Sequence, residues 1–171
     1  MLKNSDIGNI QIGNQVFIKP EYLIHPFISG NKYRKLKYNI AAAKNLNNKT
    51  LLTFGGAFSN HIAATAYAGK ESNFKTIGVI RGEELESKIE SNPTLKFAQS
   101  CGMEFLFITR EDYRSKSDVD FIASLKTKFG DFYLIPEGGT NELAVKGCEE
   151  ILKPEDAIYD YICTCVINKN S

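Results

Sequence analysis

Short apolar runs alternate with stretches of helical periodicity along most of the chain. Leu51-Leu52-Thr53-Phe54 stops at Gly55-Gly56, the run 76–80 stops at Arg81-Gly82, the run 104–108 follows Cys101-Gly102, and the run 132–135 stops at Pro136. A last run covers 159–166. Apolar segments of this length, bounded by glycine or proline, predict strands buried on both faces. Between them the period changes. Residues 33–46 place Tyr33, Leu36 and Ile40 on one stripe and carry Ala41, Ala42 and Ala43, which predicts a helix. Residues 59–69 are small and apolar, as in a helix lying flat on a sheet. Pro93 suits a first helical position, with 94–100 following and Gly102 ending the helix. Residues 118–129 carry Val119, Ile122 and Leu125 at helical spacing. The stretch 140–152 begins with Thr140 or Asn141 as a cap and ends before Pro154.

This alternation of helices and strands predicts an α/β fold, a three-layer open parallel sheet with helices on both faces. Ahead of it, the alternating Ile10, Ile12, Val16 and Ile18 predict a hairpin or edge strands. The segment 82–92, with five charged residues, predicts a long surface loop. In open parallel sheets ligands sit beyond the carboxyl ends of the strands, where helix N-termini point at them. Two glycine-rich turns fall there: Gly55-Gly56-Ala57-Phe58-Ser59-Asn60-His61 after the first core strand, and Pro136-Glu137-Gly138-Gly139-Thr140-Asn141 after the fourth. Neither turn matches GxGxxG, GxxxxGK[ST] or GxSxG, so dinucleotide, P-loop and hydrolase readings lack support. Taken alone, each turn also has a structural explanation: glycine permits tight backbone, and Ser59 or Thr140 caps a helix.

Composition narrows the class. At ~100–200 residues per domain, a chain of 171 residues holds one domain, or one and part of another. The 21 basic and 20 acidic side chains nearly cancel, leaving no field for a nucleic acid or an anionic membrane. No apolar run approaches the ~20 residues that span a bilayer, and the first residues lack the apolar core of a signal peptide. A soluble cytoplasmic protein is expected. Cys101, Cys148, Cys163 and Cys165 lie in or beside apolar segments, and only His25 and His61 accompany them. Reduced, buried thiols and no metal site are the expectation.

A third feature bears on chemistry. Gly30-Asn31-Lys32-Tyr33-Arg34-Lys35 opens the first helix. Lys32 falls in the first turn, where the helix dipole disfavours added positive charge and so favours the neutral, nucleophilic amine. Lys35 lies one turn on, on the same side. The chain has 17 lysines, most of which must be solvated surface, so position alone does not single out Lys32.

Three segments, SGNKYRKLKYNIA, LLTFGGAFSNHIAATAYA and IPEGGTNELAVKGCEEIL, do so by their order and spacing. Together they resemble the 1-aminocyclopropane-1-carboxylate deaminase / D-cysteine desulfhydrase family, pyridoxal 5'-phosphate enzymes of the tryptophan synthase β-like fold. The resemblance runs from about residue 18 to about residue 166. It implies that Lys32 forms the internal aldimine with the cofactor and that Asn60 hydrogen-bonds the cofactor's ring hydroxyl oxygen. It also implies that Ser59, Asn60 and His61 meet the substrate, that Lys35 lies near the cofactor phosphate, and that Gly138, Gly139 and Thr140 form a second loop facing the cleft. The implied activity is deamination or lyase chemistry on a small amino acid, of the cyclopropane or D-cysteine type. The implied assembly is a homodimer.

Within that family the resemblance divides the chain into 1–45, part of the large domain with the lysine helix; 46–153, the small α/β domain; and 154–171, the first strand of the returning large domain. Family members follow that strand with a glycine-rich turn that cradles the cofactor phosphate, whereas here 160–166 run into Ile167-Asn168-Lys169-Asn170-Ser171. Losing three charge-assisted hydrogen bonds of ~1.5–3 kcal/mol each weakens cofactor binding by ~5 kcal/mol. The expectation is therefore a truncated member with little or no activity of its own. The alternative is a non-catalytic α/β remnant or small-anion-binding module.

Overall fold

The computed structural model describes residues 7–164. It opens with a hairpin of β1 (Ile10–Gly13) and β2 (Val16–Ile18), paired antiparallel. There follow α1 (Asn31–Asn45), β3 (Thr50–Gly55), α2 (Asn60–Ser72), β4 (Lys75–Arg81), α3 (Pro93–Ser100) and β5 (Met103–Ile108). The chain continues through α4 (Val119–Phe129), β6 (Tyr133–Ile135) and α5 (Glu142–Glu149). Strands β3 to β6 form one parallel sheet in the order β5-β4-β3-β6.

The two-residue period of the strands sorts side chains to two faces. Leu51, Ile80, Met103 and Ile135 meet α1, α2 and α3 on one side. Leu52, Phe54, Ile77 and Val79 meet Leu125, with Phe121, Ile122 and Phe129 of α4, on the other. These are the three expected layers, and the first four predicted strands and all five predicted helices are present. The stripe Tyr33, Leu36 and Ile40 is buried as its spacing requires. Helix α5 packs on α1 rather than on the sheet, and the approach is close. A Cβ on Gly147 would lie 2.1 Å from the Arg34 carbonyl oxygen, so only glycine fits that crossing.

Several expectations are corrected. Residues 159–164 form no strand; the apolar run finds no ladder partner among the described residues, and a strand without one leaves its backbone groups unpaired. Its remaining residues, including Cys165, lie outside the described residues. Before it, Pro154–Ile158 form a 3₁₀ turn. The segment 82–92 is a 3₁₀ helix, Glu83–Ser91, not an open loop, because Leu85 and Ile89 tuck against α3 and the sheet. The hairpin forms, yet Ile10, Ile12, Val16 and Ile18 stay exposed, so their alternation does not mark a core-facing side. Val119 is 82% exposed, and Phe121 takes its place in the α4 contact. Cys163 is exposed, and Cys101 and Cys148 are only half-buried, so full burial of the thiols does not hold. Among the described residues no helix is long and apolar enough to cross a membrane.

Candidate active site

Sheet order locates the cleft. The chain steps outward from β3 to β4 to β5, then returns to lay β6 on the opposite side of β3. Strand order therefore reverses between β3 and β6, the place where open α/β sheets bind ligands. The register pairs Leu51 with Tyr133 and Thr53 with Ile135, so the turn after β3 and the turn after β6 emerge side by side. Both glycine-rich turns found in the sequence are thus neighbours in space.

Helix α1 brings the third component. Its start is fixed by Arg34, 5% exposed, whose Nε and Nη2 donate to the two Glu21 carboxylate oxygens at 3.0 and 2.9 Å. The hydrogen bond to Glu21 holds the guanidinium above its usual value, against the opposing effect of burial. One turn on, α1 is clasped to the turn after β6 by a reciprocal amide pair. Asn39 Nδ2 donates to Asn141 Oδ1 at 3.1 Å and Asn141 Nδ2 donates to Asn39 Oδ1 at 2.8 Å. Asn141 also caps α5 by accepting from the Ala144 N–H at 2.9 Å. Tyr133 donates its hydroxyl to the same Asn39 oxygen at 3.1 Å, and burial pushes that phenol up. These contacts fix α1 relative to residues 137–141.

Lys32 consequently points into the crevice. Its Nζ donates to the Gly138 carbonyl at 3.0 Å, and Lys35 Nζ donates to Thr140 Oγ1 at 2.9 Å. Both lysines therefore meet the turn after β6. Across the crevice Ser59 caps α2, its Oγ accepting from the His61 N–H at 3.2 Å, and Asn60 is an exposed first residue of that helix. His61 lies deeper, 1% exposed, with Nε2 2.8 Å from Thr53 Oγ1. Thr53 in turn donates to the Ile135 carbonyl at 2.8 Å. A hydroxyl has one proton to give, so His61 is the donor in the first bond and carries its hydrogen on Nε2. Gly139, at φ 72°, lies over the other edge of that ring: a Cβ there would sit 3.0 Å from His61 Cε1. The ring thus supports the glycine turn from below, between β3 and β6.

Lys32, Lys35, Gly138, Gly139 and Thr140 thus meet at the turn after β6 with His61 beneath it, while Ser59 and Asn60 open α2 beyond the neighbouring strand β3. Sequence reasoning missed Thr53 and Asn39, and named Asn141 only as the helix cap that it is. Thr53 was visible as the one polar residue inside Leu51-Leu52-Thr53-Phe54, but nothing in the sequence tells which carbonyl it serves.

Comparison with known proteins agrees with the fold. No family model matches the chain. A Thermotoga maritima protein, provisionally named a 1-aminocyclopropane-1-carboxylate deaminase, is 33% identical over 138 residues, covering 79% of this chain and 43% of its own length. The Arabidopsis thaliana bifunctional D-cysteine desulfhydrase/1-aminocyclopropane-1-carboxylate deaminase, a mitochondrial protein, is 30% identical over 167 residues, 88% of this chain and 41% of that one. The crystal structure of an ACC deaminase homologue superimposes with a TM-score of 0.64 at 28% identity, over 79% of this chain and 41% of that one. The chain spans about two fifths of the length of these relatives. With sequence and fold in agreement, the chain belongs to the 1-aminocyclopropane-1-carboxylate deaminase / D-cysteine desulfhydrase family.

Proposed function

We propose that the crevice between β3 and β6 is the amine-bearing half of a pyridoxal 5'-phosphate site, acting in deamination or elimination on a small amino acid. The observation that carries this reading is the position of Lys32. Its amine is held at a glycine turn, at the point where strand order reverses, opposite the N-terminus of α2.

The residues present suit that cofactor. Lys32 offers a primary amine for an aldehyde. Lys35, one turn along the helix, offers a cation, and Asn60 offers an exposed amide. The turn facing Lys32 is free of side chains at two successive positions. A Cβ on Gly138 would meet only Thr140 Oγ1, at 3.8 Å, so it would project into open space. Lys32 and Asn60 would hold the cofactor ring and Lys35 would balance its phosphate charge. When bound, the cofactor supplies an aldehyde that captures amines and a pyridine ring that takes up the electron pair left at an amino acid's α-carbon.

The chain's own groups do the rest. Lys32 Nζ would serve as the base for the α-proton, and the Gly138 carbonyl orients it by accepting one of its hydrogens. The Ser59 hydroxyl and the first amides of α2 receive the substrate carboxylate, an anion at a helix N-terminus. His61 and Thr53 keep the Gly138-Gly139 turn at the height that meets Lys32. 1-Aminocyclopropane-1-carboxylate and D-cysteine, the substrates in the names of the relatives, are the substrate types to test.

The test is chemical capture. The chain is incubated with pyridoxal 5'-phosphate, reduced with borohydride and mapped by mass spectrometry. Selective, stoichiometric modification of Lys32 is expected. Modification spread across the lysines, or absent, would overturn the proposal and favour a non-catalytic remnant.

A further inference from the structure

A second cavity adjoins the crevice on the side away from α1. It measures about 880 Å³ and lies beyond the carboxyl ends of β3, β4 and β5. Small-molecule clefts typically measure ~300–1,000 Å³. Its rim shares Ser59 and Gly56 with the turn after β3, and shares Glu137 with the turn that receives Lys32. The two spaces are therefore contiguous through the residues that form the site.

Its charge is unlike that of the rest of the surface. The chain has four arginines, and three of them, Arg81, Arg110 and Arg114, line this cavity together with Lys116. Two carboxylates also line it, and each is committed: Glu84 holds Arg110 at 3.2 Å and Glu137 holds Lys116 at 3.5 Å. Among the described residues Arg81 and Arg114 make no salt bridge. Arg81 is positioned by stacking over the Tyr113 ring at 5.6 Å, and a Cβ on Gly56 would lie 4.0 Å from its Nη2. Tyr113 itself lines the cavity and is 3% exposed, with the Glu137 carboxylate facing its hydroxyl. The composition is that of an anion receptor: two guanidiniums without carboxylate partners among the described residues, one of them fixed against an aromatic face.

We propose that this cavity is an anion subsite that extends the active site, and that it receives a second anionic group, a carboxylate or a phosphate, at the far end of a small amino-acid substrate. The proposal rests on the reading of Lys32 and Ser59 above for the near end of that substrate. Burial, with the Glu137 carboxylate beside it adding to the effect, pushes the Tyr113 phenol up, so the ring under Arg81 stays neutral. The subsite favours substrates with acidic side chains over the neutral amino acids named for the relatives.

Isothermal titration of the whole chain with glutarate, butyrate and inorganic phosphate tests this, since none of the three reacts with Lys32. Glutarate places one carboxylate at Ser59 and the second in the subsite; butyrate has only the first. Glutarate is expected to bind at least tenfold more tightly than butyrate, and the advantage is expected to vanish in the double variant Arg81→Gln/Arg114→Gln, both exposed positions, and to shrink with added salt. Equal binding of the two acids, or an advantage that survives the double variant, would overturn the proposal. So would phosphate binding more tightly than glutarate, which would assign the cavity to a free inorganic ion. Borohydride capture at Lys32 is run on the same samples. Lost capture with the glutarate preference intact faults the cofactor reading alone, and intact capture with no preference faults the subsite alone.

Discussion

Thr53→Val removes one oxygen from the floor of the site and leaves its shape. In the folded chain that oxygen gives its hydrogen to the Ile135 carbonyl and accepts one from His61 Nε2, both at 2.8 Å, at positions with no solvent access. Valine leaves a buried carbonyl and a buried ring N–H without their partner. Each such group costs ~1–3 kcal/mol, so the sum is about 3 kcal/mol. At ~2–4 °C per kcal/mol for a chain of this size, the midpoint falls by roughly 6–12 °C. Urea denaturation followed by circular dichroism measures this, with an unchanged dependence on urea showing that the folded state is intact. Thr53→Ser keeps the hydroxyl and loses one methyl, so it costs about 1 kcal/mol. The imidazole nitrogens give an independent reading. In the parent chain and in Thr53→Ser, ¹⁵N spectra of His61 show hydrogen on Nε2; in Thr53→Val that preference is lost. Because Gly139 rests on the ring, Lys32 capture also falls in Thr53→Val and not in Thr53→Ser. A valine variant no less stable than the serine variant, or a parent ring carrying its hydrogen on Nδ1, would refute the reasoning.

Two further perturbations reach other parts of the structure. Gly147→Ala drives a Cβ into the Arg34 carbonyl, a backbone atom that cannot turn aside, so α5 separates from α1 and stability falls by more than ~2 kcal/mol in urea denaturation. Acid weakens the tie between the hairpin region and the turn 154–158. Asp156 accepts from Lys19, from Asn9 Nδ2 and from the Lys153 N–H, and the Lys19 contact above all pushes its carboxyl down to about 2 from an ordinary 3.8. The folded value is the lower one, so this stabilisation is complete above about pH 4 and is lost as pH falls through about 2. Asp156→Asn is expected to flatten that segment of the stability-against-pH curve, measured by thermal unfolding between these limits.

The layered fold was legible because burial on a sheet imposes a period of two and burial on a helix a period near 3.6, and both survive in the apolar positions. The site was legible only in parts. Each glycine turn shows in the sequence, but that they are neighbours follows from β6 returning beside β3, a long-range pairing without a local signal. The resemblance implies that His61 meets the substrate, but its burial has no signal in the sequence: helix geometry swings it about 100° from Asn60, to the buried side of α2, where Thr53 meets it. Residues 159–164 misled for the opposite reason. Apolar, β-branched composition prepares a segment for a sheet, but a strand exists only when a neighbour accepts its hydrogen bonds.

Among 17 lysines, then, Lys32 is distinguished by what surrounds its amine and not by its composition or its turn of helix. Lys37 and Lys19 each meet a carboxylate, Glu150 and Asp156. Lys32 Nζ donates to the Gly138 carbonyl at the turn after β6. That carbonyl belongs to Gly138, whose left-handed backbone, φ 71°, suits glycine and leaves the space above it open. The turn is held in place by Asn141 clasping Asn39 on the same helix that carries Lys32. One helix therefore supplies both the amine and the clasp that aims its acceptor, so the distance between them is insulated from movement elsewhere in the sheet.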